Sequence, residues 1–455
     1  MSAPVKKNDD ISPEITGMTS EGHGVGRVDG FAVFVPFALP HERVTAHIIK
    51  VAGSYAVGKL VSVEEASPER AEPLCPVFLK CGGCALRHMR YEAQLEFKRG
   101  VVRDALERIG GFKGIEVKPT IGMDEPRRYR NKGSFPFGTV EGRAAFGLFA
   151  PRSHRLIEIE DCEIESESAV LAARAVRDWA NAYGVPVYDE TAGKGVLRHA
   201  VTRVCTGGVA VTVVTTGRLP HGEELIEMLK AAVPNLVSVV HNVNPRSTNV
   251  ICGEENRVIF GEKTVLQRIC GLDFEVSPES FLQVNPIQTE KLYSLAADAL
   301  GLDGTETCAD VFCGIGTIAL MLAKRAKSVV GIEYVERAIE DAKANARRNG
   351  ISNAEFFAGP AEEVLPRLVA EGLRFDCISL DPPRKGAEPE VLAAIAKSGA
   401  QKVVYVSCGP ASLARDLKLL AGYGYEIQSV QPVDMFPHTA HVETVVRLSR
   451  SDMNS

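Results

Sequence analysis

The chain has 455 residues, of which 45% are hydrophobic and 24% charged, and this composition excludes a disordered chain and indicates two to four globular domains. The net charge of −6 argues against a protein that coats nucleic acid through bulk positive charge, although it is compatible with a local basic surface. Eleven cysteines are too few for a disulfide scaffold, and with no apolar leader and no run of about 18 apolar residues we expect a cytoplasmic protein without a membrane partner.

Residues 14–66 alternate short apolar stretches with turn residues, for example at Asp29-Gly30 and Gly53-Ser54. Five short strands in about fifty residues predict a small β-barrel of the OB type. We place this domain at residues 8–66, and another kind of small β domain is the alternative.

A polar linker at residues 67–74 leads into a cysteine-rich segment with Cys75, Cys81 and Cys84, and Cys162 follows later in the chain. Four thiolates suit a tetrahedral zinc ion or a 4Fe–4S cluster. The spacing alone does not distinguish the two metals, and unrelated buried cysteines are a third interpretation.

Residues 91–110 predict a helix that ends at Gly110-Gly111. Its expected apolar face carries Leu95, Val102, Leu106 and Ile109. The following residues mix strands and helices, with a hairpin around Gly207-Gly208. We therefore expect an α+β central domain at residues 67–265, with the helix at 91–110 packed against the C-terminal domain.

Basic residues are concentrated at the start of this central domain. Residues 80–132 contain thirteen Lys and Arg against seven Asp and Glu, and they end in a cluster at 127–132 that mixes cations with Tyr129. Cations hold phosphates and rings stack on unpaired bases, so Arg130 and Lys132 are candidate RNA contacts. A solvated charged face is the alternative.

From residue 300 the sequence alternates strands and helices, which predicts a doubly wound α/β domain at residues 266–450. The predicted strands lie at 307–312, 328–333, 355–358, 375–380, 402–406 and 442–448. Ligands of such domains bind at the carboxyl ends of the strands.

The first of these strands leads through Phe312 into Gly314 and Gly316, and the second ends at Glu333. Glycines let a ligand approach the backbone, and an acidic residue at the second strand end can accept ribose hydroxyls. The pattern also fits a dinucleotide site, so a nicotinamide oxidoreductase is a rival, and a glycine-rich turn without a ligand is the simplest alternative.

The next strand ends are more distinctive. Asp381-Pro382-Pro383-Arg384 resembles the signature of methyltransferases that use S-adenosylmethionine, and Cys408 ends the strand after it. A thiolate that adds to carbon 6 of uracil makes carbon 5 nucleophilic, and a general base must later remove the proton from carbon 5. Glu443 is our candidate base, with His438 and His441 as alternatives. A buried core cysteine and a solvated glutamate are the structural alternatives.

These segments resemble the RNA uracil-C5 methyltransferase family. The matching segments, in order, are residues 280–286, the loop at Phe312, Asp381-Pro382-Pro383-Arg384-x-Gly386, residues 406–408 and residues 434–443. They cover essentially the whole second half, and the N-terminal β domain resembles the TRAM domain that many members carry. The fold that this implies is a TRAM barrel, a central α+β domain with a cysteine cluster, and a C-terminal Rossmann-like methyltransferase domain.

The resemblance implies a role for each matching position. Cys408 matches the nucleophile, Glu443 the proton acceptor, and Phe281 an aromatic residue that stacks on the extruded base. The implied S-adenosylmethionine site consists of Gln283, Phe312, Gly314, Gly316, Glu333 and Asp381. The resemblance also favours a 4Fe–4S cluster over zinc on Cys75, Cys81, Cys84 and Cys162.

Two positions depart from the family pattern. The family usually has Asn-Pro after the nucleophile, whereas this chain has Gly409-Pro410, which removes a side-chain amide near the base. At Gly359-Pro360 the family often has a polar residue, and Pro360 has no backbone N–H to offer to an adenine ring.

The resemblance therefore implies a monomeric enzyme that makes 5-methyluridine in RNA with S-adenosylmethionine as the donor, and it favours ribosomal RNA over transfer RNA. A transfer-RNA uridine methyltransferase is the first alternative. An RNA-binding iron–sulfur protein with an inactive catalytic domain is the second.

Overall fold

The computed structural model describes residues 3–277 and 280–450, whose strands form three large sheets and one hairpin. The N-terminal sheet has the strand order β1-β5-β6-β4-β3-β2. Its strands are β1 (Asp10–Ile11), β2 (Ile15–Met18), β3 (His23–Val28), β4 (Phe31–Pro36), β5 (Arg43–Val51) and β6 (Tyr55–Glu65). Alternate residues of these strands, among them Val33, Val35 and Ile48, fill a small apolar core. The predicted small β domain is thus confirmed, with one more strand than expected because β1 has only two residues.

The central sheet has seven strands in the order β13-β12-β11-β10-β7-β8-β9. They are β7 (Lys132–Val140), β8 (Arg143–Phe149), β9 (Leu156–Glu158), β10 (Leu197–Cys205), β11 (Gly208–Thr215), β12 (Leu236–Val243) and β13 (Glu255–Gly261). Helices α2 (Glu167–Ala182) and α3 (Gly222–Ala232) pack against it around the fully buried Trp179. Pairing of Cys205 with Gly208 confirms the predicted hairpin.

The C-terminal sheet has the order β18-β17-β16-β19-β20-β22-β21. Its strands are β16 (Thr307–Val311), β17 (Ser328–Glu333), β18 (Ala354–Ala358), β19 (Cys377–Leu380), β20 (Lys402–Ser407), β21 (Tyr425–Val433) and β22 (Glu443–Arg450), and a hairpin of β14 (Val265–Ile269) and β15 (Leu272–Val276) precedes it. The helices are α4 (Pro286–Leu300), α5 (Thr317–Ala323), α6 (Glu336–Arg348), α7 (Ala361–Ala370), α8 (Pro389–Ser398) and α9 (Pro410–Gly422). The five strands from β18 to β20 are parallel, whereas β22 runs antiparallel to both of its neighbours. This confirms the predicted α/β domain.

Helix α1 (Tyr91–Ala105) continues into a π-helical turn, Leu106–Gly110, and packs against α9 of the C-terminal domain. The predicted apolar face is wrong at one end, because Ile109 is 46% exposed. The buried face instead includes the polar residues Gln94 and Lys98. These side chains meet partners more than 300 residues away in the sequence, which a local apolar pattern does not reveal.

A buried ion pair joins α1 to the segment before β22. The Lys98 ammonium contacts the Asp434 carboxylate, and both side chains are fully buried. Lys98 also donates to the carbonyl of Phe436 at 3.0 Å, and the Tyr91 hydroxyl donates to Asp434 Oδ2 at 2.8 Å. Burial lowers the pKa of Lys98, and the adjacent carboxylate opposes that shift. Removing either Lys98 or Asp434 would therefore leave the other charge buried without its partner.

Among the described residues, no helix combines the length and apolarity that a membrane span requires.

Replacing Lys98 by Met leaves the Asp434 carboxylate buried without its cation, so we expect a loss of about 3–5 kcal/mol in the free energy of unfolding. Urea denaturation followed by circular dichroism measures it. The double variant K98M/D434N should be less destabilised than K98M, because no unpaired charge remains. The exposed pair of Arg325 and Asp298 is the matched control, and R325M should change stability by at most about 1 kcal/mol. A K98M protein as stable as R325M would contradict this account.

Candidate active site

Three predicted cofactor residues lie at the same level of the C-terminal sheet. Val311 of β16 pairs with Ile332 of β17 on one side and with Leu380 of β19 on the other. The next position along each strand is Phe312, Glu333 and Asp381, respectively. The strand register therefore brings these three residues together at the carboxyl edge of the sheet.

The glycine-rich loop turns from β16 into α5. Gly314 and Gly316 have φ values of 55° and 87°, in the left-handed region that favours glycine. The Gly314 N–H donates to Glu333 Oε2 at 3.2 Å, and the Val335 N–H donates to Oε1 at 3.0 Å. The Glu333 carboxylate is thus held in place with lone pairs still available to a ligand.

A cavity of about 710 Å³ opens at this edge, within the usual size range of small-molecule sites. The predicted site residues that line it are Phe281, Phe312, Gly314, Glu333 and Asp381. Pro360 lines it too, where it contributes no backbone N–H. Gln283 is buried and interacts with the hydroxyl of Tyr293, another lining residue.

Asp310 also lines this cavity, and sequence reasoning did not select it. It is 1% exposed, and within residues 3–277 and 280–450 its Oδ2 atom has no hydrogen-bond partner. Burial, reinforced by Asp381, raises the pKa of Asp310 to about 8. A buried carboxyl within an otherwise apolar strand was the available signal.

The cavity fits S-adenosylmethionine on the chemistry of its lining. Three carboxyl groups, from Asp310, Glu333 and Asp381, surround it, and one buried oxygen is unpartnered among the described residues. A ligand with positive charge and sugar hydroxyls would satisfy these groups, and the glycine turn admits its close approach. The lining therefore suits a nucleoside that carries a cation.

Cys408 and Glu443 face each other across two antiparallel strands. Ser407, the last residue of β20, pairs with Thr444 of β22. Cys408 directly follows Ser407, Glu443 directly precedes Thr444 as the first residue of β22, and Glu443 is an electrostatic neighbour of Cys408.

The electrostatics of this pair keep both groups protonated near neutral pH. Burial, followed by the Glu443 and Asp381 carboxylates, raises the pKa of the Cys408 thiol to about 11, and Arg384 opposes this shift. Burial, followed by repulsion from Asp381, raises the pKa of Glu443 to about 8. Glu443 is only 3% exposed, so it is a carboxylate of unusually high basicity.

Arg384 and Gly409 place Cys408 at the edge of a second, larger opening. Both residues line a groove of about 1350 Å³, whose other walls are α1 and the barrel loops that include His41. A Cβ atom on Gly409 would lie 2.7 Å from Ser412 Oγ and 3.0 Å from the Arg384 carbonyl oxygen. A larger residue at position 409 would crowd this loop, which gives a physical reason for the departure from Asn.

The two alternative bases lie in other environments. His438 bonds through Nδ1 to Gln94 Nε2 at 3.3 Å, and its pKa is lowered to about 4 by burial and by Arg87 and Lys98. Burial also lowers the pKa of His441. The ionisable neighbours of Cys408 are Glu443, Asp381 and Arg384, so Glu443 is the base best placed to act beside the thiol.

The predicted RNA contacts are the exposed ring of Phe281 and the cations Arg130 and Lys132. Phe281 is 74% exposed at the mouth of the cofactor cavity, and Arg203 donates to the preceding carbonyl, that of Ser280, at 2.8 Å. Arg130 forms an ion pair with the buried Glu165 at 2.9 Å. Lys132 begins β7 and lies directly opposite Arg203.

The four cysteines predicted to bind a metal, Cys75, Cys81, Cys84 and Cys162, line one small cavity of about 30 Å³. Burial raises the pKa of Cys84 to about 12 and that of Cys162 to about 11, and neighbouring thiols contribute to both shifts. Across the described parts of the chain, no group of three or more His, Cys, Asp or Glu side chains is arranged to hold a metal ion. The side-chain arrangement thus brings the four residues together but does not itself support the expected cluster.

Comparison with known proteins matches both ends of the chain. The family described as tRNA (uracil-5-)-methyltransferase matches residues 262–451, and the TRAM domain matches residues 14–61. An uncharacterised RNA methyltransferase of Halalkalibacterium halodurans is 48% identical over 98% of this chain and 98% of its own, and one of Clostridium tetani is 45% identical over 98% and 97%.

A solved structure is similar over nearly the whole length. The crystal structure of Pyrococcus abyssi tRNA (uracil-54, C5)-methyltransferase in complex with S-adenosyl-L-homocysteine has a TM-score of 0.79 and 27% identity. The match covers 96% of this chain and 100% of that one.

We expect Cys408 to react slowly with iodoacetamide at pH 7 and about tenfold faster per pH unit up to its raised pKa, because only the thiolate attacks. Above pH 8, E443Q should accelerate the reaction, since it removes a negative charge beside the thiol. R384A should slow it, since it removes the opposing positive charge. Peptide mass spectrometry distinguishes Cys408 from the other ten cysteines. Equal rates in all three proteins would contradict the assigned neighbours.

Proposed function

Because the chain belongs to the S-adenosylmethionine-dependent RNA uracil-C5 methyltransferase family, we propose that it methylates carbon 5 of a specific uridine in ribosomal RNA through a covalent adduct on Cys408. The observation that carries this proposal is the register that sets Cys408 against Glu443, with Asp381 of the cofactor cavity beside both. A nucleophile, a base and a cofactor cavity thus share one edge of the sheet.

Cys408 supplies the nucleophile. Its sulfur adds to carbon 6 of the uracil, and the electron pair of the 5,6 double bond moves toward carbon 5 and the carbonyl at carbon 4. The thiol must first lose its proton, which burial and the carboxylates oppose and Arg384 favours. Arg384 therefore assists the step that the rest of the site makes difficult.

Glu443 acts after the methyl group is in place. S-adenosylmethionine, when bound, supplies an electrophilic methyl group to carbon 5. Glu443 then takes the remaining proton from carbon 5, the double bond re-forms, and the Cys408 sulfur leaves carbon 6. Its pKa of about 8 makes Glu443 a stronger base than a solvated glutamate, and its activity as a base should rise with pH through that value.

S-adenosylmethionine would be held by the carboxylates of Asp310, Glu333 and Asp381, by the turn at Gly314 and Gly316, and by Gln283 and Phe312 beside them. The support is the acidic lining of the cavity and its unpartnered Asp310 oxygen among the described residues.

The target uridine would leave its stack and enter beside Phe281, since an enzyme that acts on a base in folded RNA must expose it. The exposed ring of Phe281 supports this role. The large groove beside Arg384 and Gly409 would give the RNA strand a path between the barrel and Cys408. Lys132 and Arg130 would contact the RNA backbone near the site.

Transfer RNA is the second candidate substrate. The Pyrococcus abyssi protein that matches over its full length is named for uracil 54 of tRNA. Ribosomal RNA is our first choice because the family resemblance of a chain with both a TRAM domain and the four-cysteine pattern favours it. We further propose the division into units at residues 8–66, 67–265 and 266–450, and a monomeric protein.

We also propose that Cys75, Cys81, Cys84 and Cys162 ligate a 4Fe–4S cluster. Their convergence on one cavity from two distant parts of the chain supports it. The four thiolates would ligate the irons of the cluster. The backbone N–H groups of Ala85 and Leu86, next to Cys84, donate to the His438 carbonyl at 2.9 Å, which would make the cluster a support for the segment that leads to Glu443.

The decisive assay is release of tritium from carbon 5 of labelled uridine, with S-adenosylmethionine, on unmodified ribosomal RNA and transfer RNA in parallel. We expect release from ribosomal RNA, and none with C408A. E443Q should lose about 10²–10⁴-fold in turnover, the usual contribution of a general base, and accumulate a denaturant-stable protein–RNA adduct.

The adduct separates the two roles. It should be absent from C408A and from the double variant C408A/E443Q. Tritium release from transfer RNA alone would show that transfer RNA, and not ribosomal RNA, is the substrate, and it would not affect the proposed mechanism. A C408A protein that still methylates RNA would overturn the mechanism.

For the metal centre, anaerobically purified protein should contain about four iron atoms and four sulfides per chain and show the broad visible absorbance of a cluster. C81S should lose both, because it removes a ligand. The matched control is C205S, a cysteine of β10 away from the cavity, which should keep them. A protein that holds zinc alone would refute the cluster.

A further inference from the structure

A cavity of about 250 Å³ in the central domain has no role in the proposed reaction. It lies where β7 and β10 pair through Pro136 and His199. Its aromatic lining includes Tyr188 and Phe149, and Phe149 stacks on His154 with ring centroids 5.4 Å apart. The volume is slightly below the range of drug-sized ligands, so it suits a group of the size of one nucleobase.

Two buried side chains of this cavity each have one nitrogen atom without a hydrogen-bond partner among the described residues. His199 is 8% exposed and Arg198 is 3% exposed. In the part of the chain that the structure describes, neither His199 Nδ1 nor Arg198 Nε has a hydrogen-bond partner. Burial without a hydrogen bond is costly, so a ligand that bonds to these atoms would recover that free energy.

The Arg198 guanidinium is held rigidly for such a contact. Its Nη1 donates to the carbonyls of Asn244 at 2.9 Å and Arg246 at 2.6 Å. The group lies 4.8 Å from the centroid of the Tyr188 ring. Tyr188 and Arg198 therefore form a fixed stack whose Nε donor is not used within the described residues, which is the arrangement that single-stranded nucleic acid meets on stacking surfaces.

The charges around the cavity exclude a phosphate inside it. Asp189 and Glu190 both line the cavity. Asp189 accepts the N–H groups of the following turn, from Thr191 at 2.8 Å, and Glu190 pairs with His154 at 2.6 Å. Burial and Arg198 lower the pKa of His199 to about 4, so its ring is neutral and presents both a donor and an acceptor. A neutral, planar group with polar edges fits better than an anion.

The same strand pair leads from this cavity to the active site. Lys132 and Arg203 are opposite each other four residues further along β7 and β10, about 13 Å away and on the same face of the sheet. The flanking RNA backbone would therefore meet positive charge on this face of the sheet. Arg203 also donates to the carbonyl of Ser280, which precedes the exposed Phe281.

We propose that the cavity of Tyr188, Arg198 and His199 binds a second nucleobase of the substrate RNA, and that Lys132 binds the phosphate backbone between that base and the target uridine at Phe281. This inference rests on the proposed function and adds to it a second contact that recognises the RNA. In this arrangement the RNA that flanks the target uridine lies along the central β-sheet.

The test uses the full-length protein and an oligouridylate of about ten nucleotides, within the usual site size of single-strand binders. Y188A and H199Q should each weaken its binding about 5- to 100-fold, the range for loss of one stacked base. In the tritium-release assay both should raise KM and leave kcat unchanged, because a remote contact binds the ground state and the transition state equally.

Y183A is the matched control. Tyr183 is also a partly exposed tyrosine of the central domain, stacked on His221 with centroids 4.9 Å apart, but it lies at the end of α2. It should bind the oligonucleotide as the wild-type protein does. Circular dichroism and melting temperatures identify any variant that fails to fold, and K132M with normal folding should also weaken binding because it removes a phosphate contact.

The outcomes separate this inference from the proposed function. Y188A and H199Q that bind like Y183A would overturn the inference even if methylation proceeds. Weakened binding in a protein that methylates no RNA would support the inference and refute the proposed function. Uridine monophosphate that binds this cavity as tightly as the oligonucleotide would indicate a free-nucleotide site and overturn it, as would a wild-type protein that binds no RNA.

Discussion

The structure depends on a buried contact between Lys98 and Asp434, because it fixes the segment that carries the candidate base. Residues 434–438 have no secondary structure of their own, so their backbone groups need partners from other parts of the chain. Gln288 donates to the Asp434 carbonyl and Asn285 to the Met435 carbonyl, both at 3.0 Å. Two separate regions, α1 and the start of α4, thus hold a loop that ends five residues before Glu443.

The site itself works against the stability of the free protein. Asp310, Asp381 and Glu443 are carboxyl groups whose pKa values are raised by burial, and repulsion from Asp381 raises those of Asp310 and Glu443 as well. In the unfolded chain these groups would ionise near pH 4, whereas in the folded protein they stay protonated to a higher pH. The free energy of unfolding therefore falls as the pH rises from about 4 to 8. A bound cation would reverse this effect, which links occupancy of the cofactor cavity to the charge state of Cys408 and Glu443.

Most of the correct predictions from the sequence came from strand ends and short motifs. The apolar strands β16 to β20 and the glycine turn were visible because buried parallel strands and tight turns leave local signals. β21 was not assigned, since its alternation of polar and apolar residues follows from an edge position that only the tertiary fold reveals. The same limit applies to Lys98, whose partner is distant in sequence, and to Arg198 and His199, whose missing partners are a property of packing.

The direction of one strand explains why the nucleophile and the base meet. Catalytic groups of a parallel sheet collect at its carboxyl edge, where Cys408 follows β20. Because β22 runs antiparallel to β20, its first residue lies at that same edge, and Glu443 occupies the position opposite Cys408. A parallel β22 would begin at the other edge and carry Glu443 away from the cavity. The antiparallel pair β21–β22 is therefore the feature that adds a general base to a nucleoside-binding sheet.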